Sequence, residues 1–424
     1  MKLTTFGILL LIGVLFGGAT AATFYVATTG NDGGSGTAAL PWAPLQHAVE
    51  KVGPGDVIVV RAATYVGARI ENSGLATAGK TLKSDTGAKV ILNSPGPKNR
   101  HNSILEVENF SATVSNWTID GFEIENSPKY GVDVRVTESI TVQNCIVHDS
   151  ALTGIFTAFS NHDVIQNNLS YNNNEHGIYH SNSGDYPTIR GNQIHHNHSA
   201  GIHMNGDISQ GGDGTISFAT VEKNVIWENG LGGGSGINCD GVDDSIFRNN
   251  ILYSNHASGI SLYAIDGAHG SSRNMGYNNT IVMASEGRWA VNIPSSSGKK
   301  SPVGNQVVNN ILWESNTARG SIDTYSTAVS GFKSDHNVVN RFSINSGSTT
   351  ISLATWQHKT GQDLHSVISD PTALFVNAAA NDYRLKAGSP AINAGATLSQ
   401  VTDDLAGTKR PLGGLYDIGC YESF

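Results

Sequence analysis

Short runs in which apolar and polar residues alternate recur through the middle of the chain. Seven of them begin with a small residue followed by a branched apolar one: YGVDV at 130, TGIFT at 153, HGIYH at 176, AGIHM at 200, SGINC at 235, SGISL at 258 and WAVNI at 289. Alternation with a period of two is typical of β-strands that are buried on one face. The pattern therefore predicts many short strands rather than long helices.

A second motif, Asn-x-(Ile/Leu/Val), runs in phase with the first. Its asparagines are Asn144, Asn167, Asn192, Asn224, Asn249, Asn279, Asn309 and Asn337, at steps of 23, 25, 32, 25, 30, 30 and 28 residues. Two in-phase motifs at a drifting period indicate a solenoid in which each repeat forms one coil. We expect these asparagines to stack as a ladder, each side-chain amide bonding to the next coil.

The two ends of the chain depart from the repeat. Residues 1–21 combine Lys2, an apolar run and the small-residue sequence Ala19-Thr20-Ala21, which predicts a secretory signal peptide and an extracellular protein. The apolar run is short for a membrane span, and no second one follows. We expect a parallel β-helix over residues 22–345, with a capping helix near Leu45–Val52, and a closing segment over residues 346–424.

Composition narrows the classes of partner. The 424 residues include 49 glycines, only 14% are charged, and the net charge is −9. Abundant glycine suits tight turns, and the acidic balance argues against nucleic acid as a partner. A local cationic cleft could still bind an anionic polymer. Three cysteines are too few for a disulfide framework, and we expect a monomer.

These repeats and ends resemble the right-handed parallel β-helix of secreted carbohydrate-active proteins. The stretch FYVATTGNDGGSGTAALPWAPLQHAVEKVGPGDVIVV is similar to the N-terminal entry of that superfamily. The stretch DYRLKAGSPAINAG, followed by DDLAGTKRP and YDIGCYES, is similar to a terminal segment of many extracellular β-helix proteins. The resemblance implies an all-β, right-handed parallel β-helix. It leaves the activity open among lyases, hydrolases, epimerases, adhesins and binding modules.

One wall of the predicted helix carries candidate chemistry. Within each strand alternate residues face outward, so the seven motifs give two outward columns. The first column is Asp133, Phe156, Tyr179, His203, Asn238, Ser261 and Asn292; the second is Arg135, Ala158, Ser181, Asn205, Asp240, Tyr263 and Pro294. Aromatic, amide and ionisable groups gather at the centre, which predicts a binding groove. The alternative is a polar, solvated face with incidental aromatics.

Cations form a separate column. Lys223 and Arg248 each precede an Asn of the motif on adjacent coils, which predicts an unpaired cationic pair that an anion could bridge. The alternative is two ordinary surface cations. His180 falls in an inward column and His176 precedes its strand, so both are weaker candidates for chemistry.

The residues on this wall suit β-elimination of an acidic, uronate-containing polysaccharide such as alginate. That reaction needs a group that neutralises the carboxylate, a base and an acid. The residue types resemble those of alginate and chondroitin lyases of the β-helix group. We predict Tyr179, His203, Lys223 and Arg248 as catalytic, and Arg135, Asn205, Asn238, Asp240 and Tyr263 as substrate-binding.

Other functions remain open from the sequence. A mannuronan C5-epimerase shares the first proton transfer, a glycoside hydrolase would need two facing carboxylates, and a non-catalytic glycan-binding surface protein would bind without turnover. Ca²⁺ is a candidate cofactor, because hard oxygen ligands suit it. Its candidate ligands are Asp207, Asp213, Asp240, Asp243 and Asp244.

Overall fold

The computed structural model describes residues 21–329 and 331–423. The predicted signal peptide therefore lies almost wholly outside the described residues. The chain winds into a parallel β-solenoid of about 12 turns with three sheets of 12 strands each, which confirms the predicted fold. No helix in the described ranges is long and apolar enough to cross a bilayer.

Each coil contributes one strand to each sheet in turn, and the third sheet ends in a strand that pairs antiparallel with its neighbour. The strands of the first sheet are Thr23–Val26, Val57–Val60, Lys80–Ser84, Val114–Asp120, Thr137–Gln143, Val164–Gln166, Thr188–Arg190, Thr220–Glu222, Ile246–Arg248, Met275–Tyr277, Gln306–Val308 and Lys333–Asp335. Those of the second sheet are Ala63–Val66, Val90–Ser94, Glu123–Glu125, Ile146–His148, Leu169–Tyr171, Gln193–His195, Val225–Trp227, Ile251–Tyr253, Thr280–Val282, Ile311–Trp313, Val338–Val339 and Val367–Ile368. Those of the third sheet are Ala68–Ile70, Leu105–Val107, Val132–Arg135, Ile155–Ala158, Ile178–Ser181, Ile202–Asn205, Ile237–Asp240, Ile260–Tyr263, Val291–Asn292, Ile322–Asp323, Arg341–Ser343 and Ile351–Ser352.

The core follows from the alternation in the sequence. In the third sheet the first inward position is an isoleucine or valine in every coil from Val132 to Val291, and all of these are buried. The second inward position varies more and includes Thr157, His180, Met204 and Cys239, which are also buried. All three cysteines are buried and free of disulfides. The period-two pattern therefore predicted correctly which side chains face the core.

The predicted asparagine ladder exists, but in a corrected register. The stacked residues are Asn168, Asn192, Asn224, Asn250, Asn279, Asn310 and Asn337. From Asn192 onward, each side-chain oxygen accepts the backbone N–H and the side-chain amide of the asparagine in the preceding coil at 2.8–3.2 Å. Where two asparagines are adjacent, the second one is in the ladder. The first takes a left-handed backbone conformation at the turn, as at Asn167 (φ 55°), a region that asparagine tolerates better than most residues.

A second ladder, which was not predicted from the sequence, lies at the turn between the second and third sheets. Asn173, Asn197, Asn229 and Asn255 stack in the same way, with amide-to-oxygen distances of 2.9–3.1 Å. Each of these asparagines precedes the Gly-Ile pair of its coil by four or more residues. This recurring position could have predicted the second ladder from the sequence. In both ladders the buried side-chain amides form hydrogen bonds along the solenoid axis. The backbone groups at these turns therefore keep hydrogen-bond partners as the coil repeats.

The ends of the solenoid are closed by elements outside the repeat. Helix Leu45–Lys51 buries Leu45, Ala48 and Val49 against the first coil, as predicted. At the other end, helix Leu353–Thr360 packs Trp356 on Phe342 with ring centroids 4.7 Å apart. Short elements follow: strand Val367–Ile368, helix Pro371–Leu374, and a hairpin of Phe375–Asn377 and Asp382–Leu385.

The rest of the C-terminal segment folds back along the outside of the coils. Ile418 and Cys420 pack with Ile251 and Ile311 of the second sheet. Tyr416 packs near Tyr277 of the first sheet. The segment therefore packs on the later coils of the first and second sheets.

Candidate active site

The outward wall of the third sheet is built as the alternation predicts. Strand register pairs Asp133, Phe156, Tyr179, His203, Asn238, Ser261 and Asn292 in one column. It pairs Arg135, Ala158, Ser181, Asn205, Asp240 and Tyr263 in the second. Parallel strands hold neighbouring members at about 4.8 Å spacing, so side chains far apart in sequence meet on one surface.

Three rings meet at the centre of this wall. The ring centroids of Tyr179 and His203 are 4.6 Å apart, and His176 lies 5.1 Å from Tyr179 and 4.7 Å from His203. His176 belongs to the turn before its strand, a position that made it a weaker candidate from the sequence. The solenoid brings it into the cluster because the next coil places His203 directly beside it.

The environment of His203 fixes the position of its proton. Its Nδ1 lies 3.1 Å from the backbone oxygen of Asn238. A carbonyl oxygen only accepts, so Nδ1 carries the hydrogen and Nε2 keeps a lone pair. The Asn238 amide is also 3.1 Å from Nδ1 and presents its oxygen there, since the two ends of an amide are assigned from their partners. Burial lowers the pKa of His203 to about 4, so the ring is neutral at neutral pH and Nε2 is available as a base.

His176 has the opposite tautomer. Its Nδ1 accepts the backbone N–H of Ala200 at 3.1 Å, so its hydrogen is on Nε2. Burial and the neighbouring His203 hold the pKa of His176 well below its usual range. The cluster therefore offers one imidazole lone pair and one imidazole N–H on rings that pack against the Tyr179 ring. Burial raises the pKa of Tyr179, which keeps that hydroxyl protonated.

His180, in the same coil, has a structural role. It is fully buried, its Nε2 donates to the Gly184 oxygen at 2.8 Å, and its Nδ1 lies 2.6 Å from the Thr157 hydroxyl. Both ring nitrogens are satisfied inside the solenoid. The prediction that His180 faces the core is confirmed.

The second column supplies one amide that contacts Tyr179 and one carboxylate with a structural role. Asn205 Nδ2 lies 3.4 Å from the Tyr179 hydroxyl and 3.3 Å from Asp266 Oδ2. Asp240 instead accepts the backbone N–H groups of Ile265, Asp266 and Gly267 at 2.7–3.0 Å. Asp240 therefore anchors the loop that borders the wall, and its predicted role in substrate binding has no geometric support.

A cavity of about 500 Å³ opens on the wall beside the ring cluster. Asn238, Ser261, Tyr263, Arg288 and Asn292 contribute to its lining. The Asn238 amide oxygen that faces His203 also lies 2.6 Å from the Tyr263 hydroxyl, which donates to it, so both polar groups are at the cavity edge. Both were predicted to bind substrate.

Arg288 contributes a positively charged side chain to the lining of this cavity. It was not among the site residues predicted from the sequence. Its backbone donates to Ala257, and its side chain is exposed. The guanidinium forms no ion pair or hydrogen bond with residues 21–329 or 331–423. Arg288 immediately precedes the WAVNI motif, whose strand begins at Val291, and this position was the signal in the sequence.

At the opposite end of the wall, the side chains contact one another. Tyr130 and Phe156 stack with centroids 4.4 Å apart, and the Arg135 guanidinium lies 4.6 Å from the Phe156 ring. Arg135 Nε donates to Asp133 at 2.7 Å. Arg135 is therefore neutralised by a neighbour, although its predicted place on the wall is correct.

The predicted cationic pair is wrong in its geometry. Lys223 occupies the left-handed turn position and pairs with Asp403 at 2.6 Å, whereas Arg248 lies within a first-sheet strand and pairs with Glu222 at 2.8 Å. Lys223 directly precedes the ladder residue Asn224, whereas Arg248 lies two positions before the ladder residue Asn250. The two cations therefore belong to different columns. Both cations lie on the first-sheet side and hold the C-terminal segment. They do not join Tyr179 and His203.

The aspartates proposed for Ca²⁺ do not assemble into a site. Asp207 caps the short 3₁₀ turn Ile208–Gln210, Asp240 binds backbone, and Asp243 and Asp244 pair with Arg273 at 2.7–2.8 Å. Within the described ranges, three or more close metal-ligating groups occur only at Asp335/His336/His365 and at Glu123/Glu125/His148. Neither group lies on the wall.

Comparisons with known proteins give the family and the fold. The sequence matches the family described as "Pel9A-like, right handed beta helix region" over residues 24–292. The fold is similar to the crystal structure of pectate lyase Pel9A (TM-score 0.65, 17% identity, covering 96% of this chain and 97% of that one). It is also similar to a rhamnogalacturonan lyase (TM-score 0.54, 16% identity, 69% and 82% covered).

Two curated relatives match a shorter stretch. The mannuronan C5-epimerases AlgE2 and AlgE5 of Azotobacter vinelandii are each 28% identical over 120 residues. The match spans 27% of this chain and only 12% of the length of each relative.

Proposed function

Because the chain belongs to the Pel9A-like right-handed β-helix family, we propose that it is a lyase that cleaves a uronate-containing polysaccharide on the third-sheet wall. The cluster of Tyr179 with two neutral, oppositely protonated histidines carries this proposal. Extracellular action, which the N-terminal sequence predicts, is part of the same proposal.

The cluster supplies the proton transfers that β-elimination requires. His203 Nε2 takes the proton next to the carboxylate at C5, and the electron pair of that C–H bond forms the C4=C5 double bond. The C4–O bond breaks, and Tyr179 donates its proton to the departing sugar oxygen. The two rings lie side by side on one wall, which suits removal of both groups from the same face of the sugar.

The substrate carboxylate needs donors that neutralise it as charge develops. Two donors are near Tyr179: the Asn205 amide, 3.4 Å from its hydroxyl, and the Nε2–H of His176, whose ring packs against the Tyr179 ring. Arg288 is an unpaired guanidinium in the adjoining cavity, where it would bind the carboxylate of a neighbouring uronate. A polymer lying along the wall would thus meet the proton-transfer cluster and the cation in succession.

The alternatives have less support from the wall. A glycosidase needs two carboxylates about 5–10 Å apart. Asp133 and Asp240 are separated by four coils, about 19 Å at the usual strand spacing, and both are already engaged. An epimerase is the second candidate, because of the 120-residue similarity to mannuronan C5-epimerases. It would return a proton from the opposite face of the sugar, whereas the cluster lies on one face.

The deciding experiment is incubation with alginate, pectate and glycosaminoglycans, followed by ultraviolet absorbance for unsaturated products and by chain-length analysis. A lyase produces unsaturated ends and shorter chains. An epimerase changes uronate composition at constant length, and a binding protein retains polymer without turnover. Absence of unsaturated product on every polyuronate would contradict the proposal.

Variants test the assigned roles. Replacing His203 with Gln or Tyr179 with Phe should lower kcat by about 10²- to 10⁴-fold, the usual contribution of a positioned acid or base. Arg288→Ala should chiefly raise KM, with partial recovery in Arg288→Lys. Arg190→Ala is the matched control, because Arg190 is exposed on the first sheet of the same coils. Full activity in Tyr179→Phe would remove the tyrosine from the mechanism.

A further inference from the structure

A second group of ionisable side chains lies on the outward face of the second sheet. Strand register places His148 beside Glu125 and Ile146 beside Glu123 on adjacent coils. His148 Nε2 lies 3.6 Å from Glu123 Oε1 and 3.8 Å from Glu125 Oε2. These three ligand atoms all lie within 4.8 Å of one another. This group is on a different sheet from the wall that carries the proposed catalytic cluster.

His148 has one nitrogen that is satisfied and one that is not. Its Nδ1 lies 2.6 Å from Asp149 Oδ2, and a carboxylate can only accept from the ring, so Nδ1 carries the hydrogen. Its Nε2 is buried and has no hydrogen-bond partner among the described residues. The ring stacks on Tyr171 with centroids 4.7 Å apart and planes inclined by 10°, which fixes its orientation. The unpartnered Nε2 thus lies near two carboxylate oxygens, an arrangement that a cation bound between them would stabilise.

We propose that Glu123, Glu125 and His148 bind a divalent transition-metal ion, with Zn²⁺ as the preferred ion. Ligands held tetrahedrally at Zn–N and Zn–O distances of about 2.0–2.2 Å lie roughly 3.3–3.5 Å apart, close to the two His–Glu distances. One imidazole with two carboxylates is a donor set that Zn²⁺ accepts, and it leaves a fourth position for water. Asp149 takes the position of the outer carboxylate that orients a metal-binding histidine. Lys89 holds the other oxygen of Glu123 at 2.9 Å.

The site joins two coils at a point remote from the proposed reaction. Zn²⁺ bound only by the folded state would raise the stability of the protein in proportion to the logarithm of its concentration. The inference is independent of the lyase proposal, because it is read out by binding and melting and not by turnover.

The test is titration of the metal-free full chain with Zn²⁺ by calorimetry, with thermal melts in parallel. We expect saturable binding and a melting temperature that rises with Zn²⁺ in the wild type. Both should be lost in His148→Ala and weakened about 10- to 100-fold in Asp149→Asn, the usual effect of an orienting partner. His162→Ala is the matched control: His162 lies 2.6 Å from Glu138, a single carboxylate, one coil turn away.

The Asp335/His336/His365 group requires a separate variant. His365 is exposed and its Nδ1 is already paired with Asp335 at 2.7 Å, so His365→Ala should leave the high-affinity Zn²⁺ binding unchanged. Binding that persists in His148→Ala but disappears in His365→Ala would overturn the proposal, as would absence of saturable binding in the wild type.

Discussion

Two adjacent asparagines, Asn167 and Asn168, provide a sharp test of how the solenoid is held together. The Asn168 oxygen accepts the backbone N–H of Cys145 at 3.0 Å, and its amide donates to the Val142 oxygen at 2.9 Å and to Asn192 at 3.1 Å. Asn168→Ala removes all three bonds within the core. Leaving a buried donor or acceptor unsatisfied costs about 1–3 kcal/mol, so two stranded backbone groups should cost about 2–6 kcal/mol of unfolding free energy.

Asn167→Gly is the control at the neighbouring position. Asn167 is exposed and has a φ of 55°, which glycine adopts without strain. Its replacement should change the unfolding free energy by less than about 1 kcal/mol. Urea unfolding monitored by circular dichroism measures both variants. Equal losses, or a larger loss for Asn167→Gly, would refute the ladder as the structure has it.

Three further predictions concern charge. Because the pKa of His203 is lowered to about 4, the base is neutral above that value, and turnover on a polyuronate should fall as the pH drops through about 4. Burial raises the pKa of Glu314 to about 7, so the folded state binds the proton more tightly and stability should decline as the pH rises from about 4.5 to 7; Glu314→Gln should flatten that dependence in pH-resolved melts. Lys223→Ala should leave kcat unchanged but hasten proteolysis near Asp403, because its ion pair fastens the C-terminal segment; a loss of kcat would restore Lys223 to the active site.

The centre of the candidate site was predicted in part from the sequence. Tyr179, His203 and Asn238 were placed correctly because period-two alternation alone decides which side chains leave the core, and the in-phase motifs decide which coils are neighbours. His176 and Arg288 were not selected. Each lies outside the strand, and its direction depends on the path of a turn that alternation does not describe.

The prediction for Lys223 and Arg248 failed because their two coils were aligned one residue out of register. The Asn-x-apolar motif could be satisfied by either residue of an Asn-Asn pair, and choosing the first placed Lys223 and Arg248 in one column. The structure separates them because the ladder requires the asparagine whose amide points into the core. Only the hydrogen-bond geometry distinguishes the two residues.

The amino-acid sequence by itself determined the coil: its strands, its inward apolar columns and the stacking of one repeat on the next. Those features depend on residues near one another in the repeat, and burial of apolar side chains enforces them locally. The tertiary structure decided which polar groups are already engaged, as Asp240 is by loop backbone and Lys223 is by the returning C-terminal segment. Such contacts join residues up to 180 positions apart, and no local pattern records them. Whether a charge is free to bind a substrate therefore emerges only when the whole chain is folded.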